Sequence, residues 1–199
     1  MFAALTGAGL SAAAGLNAYI PFLMVGLLAR FTDVITLPGG WQWIESWWAL
    51  GIGTLLLISE LVLDKVPVVD SINDMAGTII RPATGGIIAA ATQSSNALDH
   101  SSFLQDHEWI AFVGGLVVAG VVHVGKSTAR PAINVGSAGF GAPIVSTAED
   151  LSSLGLSLIA VFLPVLVIVA LIALAWALWK YGRWMRRFAR RRRHAEHGT

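Results

Sequence analysis

The sequence contains no cysteine, which excludes disulfides, thiolate metal sites and cysteine nucleophiles. It is also poor in charge, because Asp, Glu, Lys and Arg make up 13% of its residues, against about 25% in soluble domains. Hydrophobic residues make up 55%, and the mean hydropathy is +0.69. A soluble domain of this composition would expose large apolar surfaces. The composition therefore predicts an integral membrane protein.

Common catalytic motifs are absent as well. The chain has no Gly-x-Ser-x-Gly turn, no Walker phosphate loop and no His-Glu-x-x-His zinc motif. Residues 120–127 resemble the end of a phosphate loop, but they follow an apolar segment rather than a strand. We therefore expect neither an enzyme nor a cofactor. In the alternative of an enzyme that acts on a lipid, Glu60 or Glu149 would be the base.

The few charges are distributed unevenly. Residues 180–199 carry eight Lys or Arg and one acid, Glu196, whereas residues 1–179 carry five Lys or Arg and eleven acids. The positive-inside rule predicts that the basic end is cytoplasmic. Its interleaved aromatic residues favour anionic lipid headgroups over nucleic acid. The sequence thus predicts a transmembrane domain over residues 1–179 and a basic cytoplasmic tail over residues 180–199.

Four apolar segments reach or nearly reach the length of about 20 residues that a membrane-spanning helix needs. They cover residues 2–29, 46–63, 109–125 and 154–179. Pro21 and Pro164 are expected to bend the first and the last of them. Four tryptophans between residues 41 and 48 indicate an aromatic belt at a membrane surface. We predict an all-α, polytopic membrane protein with three or four full spans.

Two further segments, residues 66–95 and 134–145, are apolar but interrupted. Arg81-Pro82 is predicted to end a short helix, because proline disfavours helix at the residue before it. Short helices at membrane depth are tolerated where they are buried in protein or line a cavity. We therefore expect broken or re-entrant helices between the spans. Arg-Pro-Ala recurs at residues 130–132 after a second apolar segment that ends in Lys, so an internal repeat is a further hypothesis.

Charged and amide side chains interrupt the apolar segments or lie at their edges. They are Asn17, Glu60, Asp64, Lys65, Arg81, Lys126, Arg130, Asn134, Glu149 and Asp150. Charge at bilayer depth is costly, so such residues pair with one another or line a watery cavity. We predict that they bind an ion, a proton or a small polar solute, as in a transporter or channel. Glu60 and Asp64 would bind a cation or proton, and His123 is expected to be a hydrogen-bonded packing residue.

The same residues allow three other roles. The ion pairs could be purely structural, in a membrane scaffold or accessory subunit that transports nothing. Arg81 and Arg130 could instead hold a lipid phosphate. A metal site for a hard cation such as Mg²⁺ would use Asp64, Asp70 and Asp74.

Two runs of the sequence resemble a known family. They are Ser11-Ala-Ala-Ala-Gly-Leu-Asn17-Ala-Tyr-Ile-Pro21, and Glu60-Leu-Val-Leu-Asp64-Lys65-Val-Pro67-Val-Val-Asp70 with Arg81-Pro82 after it. Together with the later polar residues, they are similar to bacterial membrane proteins of the DUF4126 family over most of residues 5–175. The resemblance implies a multi-pass protein of the bacterial inner membrane and no particular activity. We expect a homo-oligomer, which would help so small a chain to seal a pathway.

Overall fold

The computed structural model describes residues 2–66, 69–95, 107–136, 141–176, 179–180 and 183, without the side chains of residues 70, 71, 129 and 131–136. These residues form seven α-helices and one 3-10 helix, and no strand occurs among them. The α-helices are α1 (Phe2–Leu16), α2 (Tyr19–Phe31), α3 (Trp47–Leu63), α4 (Val69–Gln93), α5 (Glu108–Gly136), α6 (Gly141–Phe162) and α7 (Pro164–Trp176). The predicted all-α class is confirmed.

α1 and α2 are two short helices where the sequence predicts one span over residues 2–29. The chain breaks at Asn17, whose Oδ1 accepts hydrogen bonds from the N–H groups of Tyr19 and Ile20 at 3.0 and 3.2 Å. These bonds satisfy free N–H groups of the first turn of α2. Pro21 lies in that turn, where the helix does not need its N–H. The prediction of one span bent at Pro21 is wrong.

α1 is the central helix of the bundle, and its small residues let the neighbouring helices approach closely. Every residue from Gly9 to Gly15 is buried. Ser11 Oγ donates a hydrogen bond to Gly85 O at 2.9 Å, and Gly7 lies against Ala89. α1 therefore runs antiparallel to α4, with the close contacts between small residues that are typical of helices in lipid.

α2 runs in the opposite direction to α1. Tyr19 lines the same small cavity as Arg81, and Phe22 lines a groove together with Ile87, so α2 is parallel to α4. α1 and α2 therefore form a hairpin that turns at residues 17–18. By the rise of an α-helix, its arms are about 22 and 20 Å long.

α3 matches the predicted span over residues 46–63. Ser46 Oγ caps its start by accepting from Ala49 N–H at 3.2 Å, which satisfies a free donor of the first turn. A 3-10 helix, Gln42–Glu45, precedes it, and the Arg30 guanidinium lies 4.0 Å from the Trp47 ring centre. We call this part of the bundle the tryptophan end, after Trp41, Trp43, Trp47, Trp48 and Trp109.

α4 and α5 are continuous where the sequence predicts a break at Arg81-Pro82 and the end of a span at Gly125. Pro82 lies inside α4, and α5 continues through Arg130 and its proline to Gly136. A residue that precedes proline disfavours the helical conformation, but tertiary packing outweighs this preference here. The side chains of Arg81 and Arg130, which precede the two prolines, are both held by buried carboxylates. The two predicted interruptions are wrong.

α6 and α7 replace the predicted last span over residues 154–179. α6 begins at Gly141, so Glu149 and Asp150 lie inside a helix rather than before it. The predicted interrupted segment over residues 134–145 is helical at both of its described ends, and residues 137–140 lie outside the described residues.

The break between α6 and α7 comes at Leu163, immediately before Pro164. Ala160 and Val167 both lie against Gly9. A continuous helix would separate these two residues by about 10 Å along its axis, so α7 folds back along α1. The sequence predicts only a bend at this proline, and the structure has a reversal.

Large apolar side chains lie outside the bundle and charged ones inside. Trp48 is 83% exposed and Ile79 77%, whereas Asp64 is 2% exposed and Arg81 1%. Two helical segments among the described residues, Glu108–Thr128 and Gly141–Phe162, are long and apolar enough to cross a membrane by length and composition. The apolar helices α1, α2, α3 and α7 are shorter.

Candidate functional site

Seven charged side chains among the described residues meet in the interior of the bundle. They come from α3 and the residue after it, from α4, from α5 and from α6. We call them the charge cluster: Glu60, Asp64, Asp74, Arg81, Lys126, Arg130 and Glu149. The first six residues are each at most 6% exposed, and the Glu149 side chain is 13% exposed. Buried charges cost several kcal/mol each unless they are paired and hydrogen-bonded. The geometry of the pairs therefore decides whether the charge cluster stabilises or destabilises the fold.

Arg81 binds carboxylates from two elements. Its Nη2 donates to Glu60 Oε1 at 2.6 Å, and its Nη1 donates to Asp74 Oδ1 at 2.9 Å. Asp74 and Arg81 share one face of α4, because seven residues are two helical turns. Gly77 lies between them on that face and leaves room for the Arg81 guanidinium, because a Cβ at this position would lie only 3.2 Å from the Arg81 Cζ.

His123 is held in one tautomer by its two partners. Arg81 Nη1 lies 3.0 Å from His123 Nδ1, and because arginine only donates, Nδ1 accepts. The proton of the neutral ring is then on Nε2, which lies 3.2 Å from Thr78 Oγ1. Thr78 Oγ1 in turn donates to Asp74 O at 3.0 Å. His123, 1% exposed, thus fixes the orientation of Arg81.

Arg130 joins the other carboxylates. Its Nη2 donates to Asp64 Oδ2 at 2.7 Å and to Glu149 Oε2 at 2.5 Å. Its Nε lies 3.5 Å from Asp74 Oδ2. Because Arg81 binds the other oxygen of Asp74, that carboxylate lies between the two arginines.

Asp64 is the most strongly compensated carboxylate of the charge cluster. Besides Arg130, Lys126 Nζ lies 3.5 Å and Arg81 Nη2 3.8 Å from its Oδ2. Its Oδ1 accepts from Asn73 Nδ2 at 2.7 Å. Both oxygens are therefore hydrogen-bonded, as the burial of an ionised group requires.

The broken ends of α1 and α2 are attached to the charge cluster. Lys126 Nζ donates to Leu16 O at 2.8 Å and lies 2.9 Å from Glu149 Oε2. Leu16 is the last residue of α1, so a cation caps the negative end of the helix dipole. Asn17 Nδ2 donates to Asp150 Oδ1 at 2.9 Å. The tip of the hairpin is thus bound to α5 and α6.

Lys65 and Asp150 form a looser outer pair. Lys65 Nζ lies 3.8 Å from Asp150 Oδ2, with side-chain exposures of 39% and 13%. Lys65 Nζ also donates to Leu61 O at 2.8 Å. A pair this open contributes about 0–1 kcal/mol, so it does not hold the bundle together.

Several buried polar atoms have no hydrogen-bond partner among the described residues: Glu60 Oε2, Arg81 Nε, Arg130 Nη1, Ser146 Oγ and Asp150 Oδ2. Glu60 and Arg81 line a small cavity together with Ala18, Tyr19, Asn73, Gly77 and Ile80. About 10 Å³ of it is open to the centre of a water molecule, which is about the lower limit for one water.

The charges of the described side chains do not balance. The charge cluster and its outer pair hold five carboxylates, Glu60, Asp64, Asp74, Glu149 and Asp150, and four cations, Lys65, Arg81, Lys126 and Arg130. The formal charge of this group is therefore −1 when every member is ionised. One proton or one monovalent cation would neutralise it.

The structure brings nine of the ten predicted binding residues to this place, and the side chain of the tenth, Asn134, lies outside the described residues. Of the predicted metal ligands, Asp64 and Asp74 are bound by arginine, and the Asp70 side chain lies outside the described residues. The part of the chain that is described contains no group of three or more His, Cys, Asp or Glu placed to hold a metal ion.

Sequence reasoning missed the residues of α4 that shape the site. Asn73, Gly77 and Thr78 are not among the site residues predicted from the sequence. Asp74 is predicted only as a metal ligand. A signal was present, because residues 74, 77, 78 and 81 fall at the spacing of one helix face. The expected break at Arg81-Pro82 concealed it.

Comparison with known proteins gives a match to a family. The model of a family described as "Domain of unknown function (DUF4126)" matches residues 4–183, which includes every described residue of the charge cluster and the start of the basic segment. No curated protein matches the chain, and no solved structure does.

Proposed function

The chain belongs to the DUF4126 family, and we propose that it is a polytopic membrane protein that moves an ion, a proton or a small polar solute through the charge cluster. One observation carries the proposal: the buried group has a formal charge of −1 and contains polar atoms without partners among the described residues. Ion pairs kept for stability alone are expected to be balanced and hydrogen-bonded. A transport site needs atoms that are free for its ligand.

The distribution of polarity supports insertion into a membrane. Apolar side chains outside and charged ones inside reverse the order of a soluble protein. From Trp47 at the tryptophan end to Glu60, α3 rises about 20 Å. The charge cluster would then lie in the far half of a hydrocarbon layer of about 30 Å. We assign α3 to α6 as four full spans and the α1–α2 hairpin as a re-entrant element, and we assign α7, which returns the chain to the side of the charge cluster, as a further and shorter crossing.

The orientation follows from the basic residues. Leu171 and Leu174 of α7 pack against the apolar cluster that contains Ala12 and Ala13, close to the end of α1. α7 thus leads the chain towards the side of the charge cluster, where Lys65 also lies. The positive-inside rule makes that side cytoplasmic, in the proposed setting of a bacterial inner membrane. The basic tail would bind anionic lipid headgroups there.

The broken helices also support transport. The C-terminal end of α1 and the N-terminal end of α2 meet at Lys126 and Asp150. Half-helix ends near the middle of the membrane hold substrates and coupling ions in many secondary transporters. Arg81 and Arg130 each already bind two carboxylates, which favours this function over the binding of a lipid phosphate.

The test is ion flux in proteoliposomes, with Arg130→Lys as the variant. Lysine keeps the charge, but its single nitrogen cannot reach Asp64 and Glu149 and also replace the Nε that lies beside Asp74. We therefore expect folded protein with flux reduced at least about tenfold, the effect of roughly 1.4 kcal/mol. Arg183→Gln, an exposed arginine outside the charge cluster, should leave flux unchanged. Equal flux from wild type and Arg130→Lys would contradict the assignment of the pathway.

A scaffold without transport is the second candidate. One observation favours it: the ion pairs join four helices around a cavity of about one water, so they also hold the fold. In that case wild-type protein would move no ion under any gradient, and variants of the charge cluster would lose stability in proportion to the charges left unpaired. A homo-oligomer remains a prediction in either case.

A further inference from the structure

We propose that the transported species is a proton and that Glu60 Oε2 is the atom that carries it. This inference rests on the proposed function, because it names the substrate of the same site. It also identifies one of the four carboxylates of the charge cluster as the place where the excess negative charge is neutralised.

Glu60 has the weakest compensation of the four carboxylates in the charge cluster. Its Oε1 accepts from Arg81 Nη2 at 2.6 Å, and its Oε2 has no partner among the described residues. Asp74 and Glu149 each lie within 3.5 Å of two cationic side chains. Asp64 is 2.7 Å from Arg130 and is hydrogen-bonded at both oxygens. A proton taken up by the group therefore gains most by binding to Glu60.

The cavity beside Glu60 has room for about one water molecule. Glu60 is 4% exposed, but the cavity beside it is also lined by Tyr19 and Asn73, which are half-buried. One water there would have polar neighbours in Glu60 Oε2 and Arg81 Nε, neither of which has a partner among the described residues. A buried water is stable where two to four polar groups surround it.

The same geometry disfavours a metal ion. A hard cation needs six or more oxygen ligands at about 2.0–2.6 Å, and the side chains that line the cavity provide oxygen only from Tyr19, Glu60 and Asn73. The guanidinium of Arg81 also lines the cavity and would repel a second cation. A proton needs neither the space nor the ligands, because it forms a covalent bond to Oε2.

The transfer step is a single protonation. The water molecule in the cavity gives a proton to Glu60 Oε2, where an O–H bond forms, and it takes up a proton from the solvent in the same transfer, so that a neutral water molecule remains. Release is the reverse, with the proton passing to water. The charged or titratable groups that face Glu60 are Tyr19 on α2, Asp64 after α3, Asp74 and Arg81 on α4, and His123 and Lys126 on α5.

The experiment combines infrared difference spectroscopy with flux on the full-length protein in liposomes. Wild type should show the C=O band of a protonated carboxyl that titrates with pH, and it should move protons but neither Na⁺ nor K⁺. Glu60→Gln, which imitates the protonated form, should lose both the band and the proton flux while remaining folded by circular dichroism. Asp33→Asn, an exposed carboxylate at the opposite end, should keep both.

The outcomes separate this inference from the proposed function. A wild-type protein without a titrating carboxyl band, or a band that survives in Glu60→Gln, overturns the assignment of Glu60. This holds even where that variant folds poorly, since the wild-type titration is independent of it. Flux of Na⁺ or K⁺ instead of protons overturns the substrate and leaves transport standing. A band that disappears in Glu60→Gln without flux in wild type overturns transport and leaves the proton site.

Discussion

Asp64 illustrates which properties of a single residue can be predicted from the sequence of this chain and which cannot. Its carboxylate lies 2.7 Å from Arg130, 3.5 Å from Lys126 and 3.8 Å from Arg81. That charged residues inside apolar segments gather at one site could be inferred from the cost of burying them. Which cation faces which carboxylate could not, because each pair joins residues from different helices.

Replacing Asp64 with alanine should therefore be strongly destabilising. The change leaves Arg130 and Lys126 with one carboxylate fewer in a buried site, and breaking such a pair costs about 3–5 kcal/mol. Thermal unfolding of the purified protein in detergent measures the loss. Asp33→Ala, at an exposed position, should change stability by no more than about 0.5 kcal/mol. Similar melting temperatures for the two variants would contradict the described compensation of Asp64.

Among the elements, α3 was predicted almost to the residue, and the other helices were not. Apolar length alone identifies α3 from local sequence, and the structure adds the serine cap. The turn at Asn17 and the continuity of α4 through Pro82 depend on partners: Asn17 binds Asp150, and Arg81 is fixed by Glu60. Proline is a local signal, and in this bundle tertiary contacts outweigh it.

The contact between α4 and α5 can be tested with two adjacent glycines. A Cβ at Gly115 would lie 2.5 Å from Ala89 Cβ and 2.8 Å from Ser11 Oγ, whereas a Cβ at Gly114 has nothing within 4 Å. Gly115→Ala should cost about 1–3 kcal/mol, as overpacking does. Gly114→Ala should be neutral or slightly stabilising. Thermal melting measures the change in stability of each variant. Equal destabilisation by both would show that α5 faces α4 differently.

For the molecule as a whole, the main difference between the structure and the sequence-based prediction is the topology near the N-terminus. A single span over residues 2–29 puts its two ends on opposite sides of the membrane. A hairpin puts both ends at the tryptophan end. The choice depends on contacts of α1 with α4 and α6, including Thr6 Oγ1 to Ala160 O at 2.8 Å, and no local pattern encodes these contacts.

Single cysteines introduced into this cysteine-free chain test the topology. Ala4→Cys and Asp33→Cys should react with a membrane-impermeant maleimide from the same side of the membrane, and Val66→Cys from the other. All three positions are exposed in the structure. The cysteine-free parent protein is the background control. Labelling of Ala4→Cys and Asp33→Cys from opposite sides would exclude the hairpin.

The central place of α1 has a consequence for biosynthesis. α1 leaves the ribosome before α4, α5 and α6, which later surround it, and its bond to Ala160 closes a loop of 154 residues. A helix of about 22 Å is shorter than the hydrocarbon layer and is not held across it by itself. Such distant contacts form slowly. In the proposed membrane setting, the order of assembly therefore differs from the order of translation, and α1, the earliest of these helices to be made, is buried only after α4, α5 and α6 have been added.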